Sequence, residues 1–136
     1  MLSVRAVIFD MYQTLVPNSE GGWVNLFKEI CTIQALRADP VVLYKEWKNL
    51  EVQFRLNRQN FEEPDKIPPI KSYEVAWRDC YKQVFDKMGL EGNASCAAKA
   101  AIKSMTSQHT FDDVPRGLAS IQKQYLTAIL SNADDD

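Results

Sequence analysis

Two short apolar runs at opposite ends of the chain constrain its fold more than anything between them. Val4-Arg5-Ala6-Val7-Ile8-Phe9 ends in Asp10, and Tyr125-Leu126-Thr127-Ala128-Ile129-Leu130 ends in Ser131-Asn132. Near-continuous apolar runs of this length read as strands covered on both faces, the parallel-sheet arrangement. If both belong to one parallel sheet, Asp10 and Ser131-Asn132 lie side by side at its carboxyl edge. Open α/β sheets hold their ligands at that edge.

Between the runs the apolar period changes to that of helices. Val16 to Gly22 carries several breakers and reads as a loop. From Trp23 a stripe of Trp23, Leu26, Phe27, Ile30 and either Ile33 or Gln34 marks one helix. Asp39-Pro40 opens a second as N-cap and first helical residue, with Leu43, Trp47, Leu50 and Phe54 as its stripe. Glu62 to Pro69 is a polar, proline-marked connection. Ser72 caps a third helix with the stripe Tyr73, Trp77, Cys80, Tyr81, Val84 and Met88, and Gly89 suits the left-handed position past its end. An alanine-rich helix spans about 94–105, and Asp113-Val114-Pro115 opens a short one running to about Lys123.

The 136 residues are 46% hydrophobic and 25% charged, which suits one globular domain and excludes a disordered chain. Sixteen basic against 18 acidic residues leave a net charge of −2, with no electrostatic footprint for nucleic acid or an anionic membrane. The three cysteines contain no CxxC pair, and one histidine, His109, adds no metal-ligand spacing. Cys31 and Cys80 fall in apolar helical patterns and read as buried free thiols of a reducing compartment. The residues before the first strand are too few for a signal-peptide core, and no apolar run reaches membrane-spanning length. A cytoplasmic location is the expectation.

A carboxylate at the mouth of a covered sheet suits a nucleophile that forms an ester later cleaved by water. Thr14, Ser131 and Asn132 bring the small hydroxyl and amide groups that would hold a substrate there. Aspartate also serves simply to end a strand. The tip alone does not choose.

The segment Val7-Ile8-Phe9-Asp10-Met11-Tyr12-Gln13-Thr14-Leu15-Val16 resembles the first motif of the haloacid dehalogenase superfamily, and Ala128-Ile129-Leu130-Ser131-Asn132 resembles its second. Thr110-Phe111-Asp112-Asp113-Val114-Pro115 looks like the segment returning from the family's helical cap to its core. The resemblance implies an α/β fold: an incomplete Rossmann-like parallel-sheet core, residues 1–16 and 110–136, with an inserted helical cap, residues 17–109. It implies Asp10 as catalytic nucleophile and Tyr12, Thr14, Ser131, Asn132 and Arg55 as substrate-binding residues. Thr14 would brace the loop, Ser131 would bind the substrate's carboxylate or phosphate, and Asn132 would help cradle a leaving halide. Arg55 and Arg58 are the candidates for a halide-gripping arginine, with Arg55 taken. Gln13 departs from the family's usual glycine, and a side chain there restricts positive φ.

Tyr12 selects the branch. The family's phosphatases carry an aspartate at this position as proton shuttle, and tyrosine, with a pKa near 10, is no substitute at neutral pH. Halide leaves without a proton, so the resemblance implies a hydrolase of the 2-haloacid dehalogenase type acting on a small-molecule acid without a metal. The alternatives are a Mg2+-dependent phosphatase and an inactive form that acts through partner or self association. The family's third motif, a lysine, and its fourth, an acidic cluster, have no counterpart here. Two strands also make a marginal sheet with exposed apolar surface and unpaired edges. The expectation is a fragment of a longer protein, the alternatives being a natural truncation or a piece completed by another chain or by a second copy, with weak or no activity of its own.

Overall fold

The computed structural model of the protein describes residues 4–58, 63–66 and 68–131. The elements run β1 (Ala6–Phe9), α1 (Glu20–Ile33), α2 (Pro40–Arg58), a 3-10 turn (Pro64–Lys66), α3 (Tyr73–Met88), α4 (Ala94–Thr106), α5 (Val114–Ile121) and β2 (Leu126–Ile129). The chain is mostly helical and falls into two units. Of the described residues, one holds those up to Ser19 with Met105 to Ser131; the other holds those from Glu20 to Ser104. Among the described residues no helix is long and apolar enough to cross a membrane.

In the first unit β1 and β2 pair in parallel, with Ala6 opposite Leu126 and Phe9 opposite Ile129. The ladder continues past both ends, since Leu126 N–H donates to the Arg5 carbonyl at 3.2 Å and Leu130 N–H to the Phe9 carbonyl at 2.9 Å. The strands' apolar character suggests cover on both faces, yet Ile8, Leu126 and Ile129 are 63%, 76% and 60% exposed. Each strand has one neighbour only among the described residues, and α5 fully buries none of its side chains.

In the second unit α1 begins at Glu20 rather than Trp23, so Gly21 and Gly22 are helical. Glu20 in the first turn faces the positive end of the helix dipole, and Gly21 sits in open space. Of the two residues read for the end of its stripe, Ile33 is 81% exposed. Gln34 instead braces the loop before α4: its Oε1 accepts from Asn93 N–H at 2.6 Å and its Nε2 donates to the Asn93 carbonyl at 3.3 Å. Asn93 Oδ1 accepts from Cys96 N–H at 2.9 Å and so caps α4. Asp39 caps α2 through Val41 and Val42 N–H at 2.8 and 3.1 Å, and Ser72 caps α3 through Val75 N–H at 3.4 Å.

Helix α2 packs on both α1 and α3, which widens and turns its buried face. Leu43, Tyr44, Trp47 and Glu51 are buried, and Leu50 of the expected stripe is only half-buried. A carboxylate tolerates that position because Lys48 Nζ lies 2.8 Å and Arg55 Nε 2.7 Å from its two oxygens; without such partners its burial would cost several kcal/mol. The core itself is aromatic. Phe27, Trp47 and Tyr81 are fully buried, with centroid separations of 5.4 to 5.5 Å.

Two helices end in the same six-residue motif with opposite fitness. After α3, Leu90 N–H reaches the Phe85 carbonyl at 2.9 Å and Gly89 N–H the Asp86 carbonyl at 3.3 Å, with Gly89 at φ 64°. After α1, Leu36 N–H reaches Cys31 at 2.9 Å and Ala35 N–H reaches Thr32 at 3.3 Å, with Ala35 at φ 51°. Glycine takes this left-handed conformation without penalty, whereas a Cβ costs roughly 1 kcal/mol. Ala35→Gly should therefore raise stability by about 0.5–1 kcal/mol and Gly89→Ala lower it by about 1 kcal/mol, read as opposite shifts of the urea midpoint.

Cys31 and Cys80 are buried and Cys96 exposed, all three as free thiols. Burial, reinforced by the charges of Glu51 and Asp79, pushes the Cys80 thiol up to about 11. An unfolded thiol ionises near 8.5, so the folded chain holds a proton that the unfolded chain releases between about pH 8.5 and 11. Stability is then fully present below that window and falls as pH rises through it. Burial also raises Tyr81 and Tyr44, which steepens the fall at its alkaline end. Urea midpoints at pH 8 and 10.5 should differ accordingly, and Cys80→Ala should flatten the difference.

Candidate active site

The last rung of the ladder builds the site. Phe9 pairs with Ile129, so Asp10 and Leu130-Ser131 leave the sheet together at its carboxyl edge. Asp10 is exposed and Ser131 half-buried. Directly after Asp10 the chain folds back on itself. The Met11 carbonyl accepts from both Leu15 N–H at 2.8 Å and Val16 N–H at 3.1 Å, and Gln13 N–H donates to the Val16 carbonyl at 2.7 Å. Leu15 and Val16 are buried and anchor this loop. Phe111 N–H donates to the Leu15 carbonyl at 3.1 Å, tying it to the segment before α5.

Gln13 adopts φ 63° despite its side chain. The cost of a Cβ in that region, roughly 1–2 kcal/mol, is met in part locally, because Gln13 Nε2 donates to the Asn18 carbonyl at 2.5 Å. The expected restriction on positive φ is thus real but overcome by the loop's own hydrogen bonds. Tyr12 is half-buried, and burial pushes its phenol above the usual value. It is a neutral hydrogen-bonding group at ordinary pH. Thr14 is exposed, and the hydrogen bonds that close the loop run between backbone groups.

Arg55 lies on α2 in the helical unit, where Glu51 holds its Nε. Arg58 sets its guanidinium over the rings of Phe54 and Tyr73, at 5.9 and 5.1 Å from their centroids. Trp23, Trp47 and Trp77 form a mutual cluster with separations of 5.1, 5.4 and 5.7 Å. His109 is exposed. Asn132 and Asp134-Asp135-Asp136 lie outside the described residues. Among the described residues no three His, Cys, Asp or Glu side chains converge as a group able to hold a metal ion.

Two features, one in each unit, escaped the sequence. Phe111 ties down the loop through its backbone, which leaves no residue-type signal. Glu51 sits one position beyond the apolar stripe, and only its spacing of three and four from Lys48 and Arg55 hints at an ion-paired burial. Taken together, the sheet edge offers an approachable carboxylate, a neighbouring hydroxyl and a loop held by backbone bonds. That set can attack an electrophilic carbon, and it lacks a second carboxylate on the same loop.

No protein-family model matches the chain, and no curated protein matches it in sequence. Solved structures do. A defluorinating L-2-haloacid dehalogenase superposes with a TM-score of 0.69 at 19% identity, over 96% of this chain and 52% of its own. The L-2-haloacid dehalogenase of Xanthobacter autotrophicus gives 0.62 at 19% identity, over 97% and 48%. A HAD-hydrolase of Bacillus subtilis, bound to magnesium, gives 0.65 at 13% identity, over 96% and 54%. The chain therefore has the haloacid dehalogenase fold over the part it covers, and it spans about half the length of the structures it matches.

Proposed function

We propose that the chain carries the nucleophile-bearing half of a haloacid dehalogenase-type hydrolase that acts on a small 2-halo carboxylic acid. One observation carries this reading. Asp10 stands at the tip of β1 beside the tip of the parallel β2, with the neutral Tyr12 where a proton-shuttling carboxylate would stand. In finer terms, the sheet unit is part of a Rossmann-like core and the helical unit is its inserted cap. The three free thiols suit a cytoplasmic location.

An Asp10 carboxylate oxygen attacks the carbon that bears the halogen. The new C–O bond forms as the carbon–halogen bond breaks, and the bonding pair leaves with the halide. Water then adds to the carboxyl carbon of the resulting ester, the acyl C–O bond breaks, and a 2-hydroxy acid departs. Asp10 is regenerated and one proton passes to solvent. Ser131 donates its hydroxyl to the substrate's carboxylate and Thr14 and Tyr12 line its approach; the resemblance assigns the halide to Asn132, which lies outside the described residues, and to Arg55 of the helical unit.

A phosphatase reading needs a carboxylate to protonate the leaving alcohol and a set of acids to hold Mg2+. Tyr12 does not fit the first role, and no other carboxylate stands on the loop from Met11 to Asn18 to take it. The experiment offers the full chain 2-chloropropionate in one arm and a small phosphomonoester with Mg2+ in the other. Halide release, with a mass increase on the peptide containing Asp10 when the ester is trapped, is expected. Mg2+-dependent phosphate release without halide would overturn the reading.

A further inference from the structure

Gln13 is one of two residues other than glycine at a positive φ among the described residues, and its φ is 63°. A Cβ is disfavoured in that conformation, which glycine adopts freely. Glycine, however, has no side chain, and that of Gln13 is in use. Gln13 N–H donates to the Val16 carbonyl at 2.7 Å, and Gln13 Nε2 donates to the Asn18 carbonyl at 2.5 Å. One residue thus grips two carbonyls two positions apart, its side-chain amide serving as a second donor where the backbone has one. A glycine here would remove the strain and the second grip together.

The gripped segment is the connection that leads out of the sheet unit toward α1. Leu15 and Val16 are buried and held by the Met11 carbonyl. Beyond them Pro17 has no N–H to give, and this stretch of the sheet unit ends at Ser19. The returning connection is held too, since Phe111 N–H donates to the Leu15 carbonyl at 3.1 Å. Both connections therefore meet the loop that begins at Asp10, the returning one through backbone and the outgoing one through the Gln13 side chain. The Gln13–Asn18 bond is exposed, and such a bond shifts a local equilibrium by a few-fold without deciding whether a domain folds. Its weight falls on which state of the loop is populated.

We propose that Gln13 is a positioning residue: its side-chain amide fastens the connection from Val16 to Ser19 onto the loop that begins at Asp10, and so fixes how Asp10 is presented. Glutamine holds a turn that glycine would adopt more easily because the fastening offsets the strain and narrows the loop to one arrangement. Gln13 acts through Asp10 and touches no reacting atom. The fastening holds whatever chemistry Asp10 performs; its effect on a reaction rests on Asp10 being the nucleophile proposed above.

Three variants of the full chain test this. Gln13→Met keeps the length and loses the donor, Gln13→Gly also loses the strain, and Gln13→Lys restores a donor of similar reach. Gln13 is exposed, so none of the three disturbs the core. Hydrogen exchange reads the fastening without any reaction. The amides at positions 13 and 16 should exchange about three- to tenfold faster in the Met and Gly variants, the scale of one exposed hydrogen bond. The amides of Val7 and Ile8 should not change, and the Lys variant should match the parent. Single-turnover formation of the Asp10 ester from 2-chloropropionate reads the positioning. Its maximal rate should fall in the Met variant by the same factor and recover in the Lys variant, while the substrate concentration giving half that rate stays constant. A residue that only stabilises the fold would move the urea midpoint and leave this rate and its recovery untouched. Equal exchange at positions 13 and 16 in the parent and the Met variant would overturn the fastening. Faster exchange with an undiminished ester rate would overturn the positioning. An absence of ester in the parent counts against Asp10 as nucleophile and removes the positioning with it, while exchange still decides the fastening.

Discussion

Asp10→Asn should abolish trapping of the ester from a 2-halo acid and, however slow the parent chain is, bring halide release down to the uncatalysed rate, since removing a reacting group costs about a thousandfold or more. The amide presents no anionic oxygen to attack the carbon, and no other carboxylate lies on the loop from Met11 to Asn18 to take its place. Stability should be unaffected, because Asp10 is exposed and exposed substitutions usually stay within about 0.5 kcal/mol. The pair of readouts separates a nucleophile from a residue that merely ends a strand: the strand-ending role predicts a change in unfolding midpoint and no selective loss of turnover. Ser131→Ala supplies the graded comparison. Losing one hydrogen bond to a charged substrate group costs about 1.5–3 kcal/mol, so KM should rise roughly ten- to a hundredfold with a smaller change in kcat. Single-turnover formation of the Asp10 ester, followed by peptide mass, keeps the comparison measurable even where overall turnover is slow. An Asp10→Asn protein that releases halide at the parent rate would remove Asp10 from the reaction.

Much of this edge was legible in the residues. The β-branched runs specified two strands, their like character specified one parallel sheet, and the order of elements between them followed from period and caps. Asp39, Ser72 and Gly89 act at helix ends where their chemistry suggested, because those motifs depend on one side chain and its immediate backbone. The parts that were not legible depend on tertiary neighbours. Burial of Glu51 follows from α2 being packed on two sides, and no property of the residue announces it. Ala35 occupies a glycine conformation because the Cys31 and Thr32 carbonyls are satisfied only if the chain turns there.

The same distinction explains the site. The Asp10 loop is held chiefly by backbone hydrogen bonds from Gln13, Leu15, Val16 and Phe111. Residue types constrain such bonds weakly, so a glutamine can stand at φ 63° where glycine is the easier choice. What the sequence does specify is the chemistry displayed at the edge: a carboxylate, a hydroxyl and, at Tyr12, the absence of a second acid. Geometry comes from the fold, and the proposed preference for a halide over an alcohol as leaving group rests on one side chain, Tyr12.

Trp47→Ala should be the most destabilising single substitution in the helical unit, at about 3–5 kcal/mol, the range for deleting a buried aromatic. Trp47 is fully buried, and its ring meets those of Trp23, Phe27, Tyr81 and Trp77 at 5.1, 5.5, 5.4 and 5.7 Å. It thus joins α1, α2 and α3 at one point, and alanine leaves a void that three helices must share. A domain of this size has roughly 5–15 kcal/mol in total, so the helical circular dichroism should melt at a much lower urea concentration. Tyr81→Phe discriminates packing from hydrogen bonding as the source of that loss. Tyr81 is equally buried, yet its hydroxyl has no hydrogen-bond partner among the described residues, and neither has the indole nitrogen of Trp47 or Trp77. Removing the hydroxyl while keeping the ring should therefore be neutral or stabilising, since an unpaired buried polar group is itself a cost of about 1–3 kcal/mol. A large loss from Tyr81→Phe, or a loss under about 1 kcal/mol from Trp47→Ala, would mean that the cluster does not hold the three helices by ring packing.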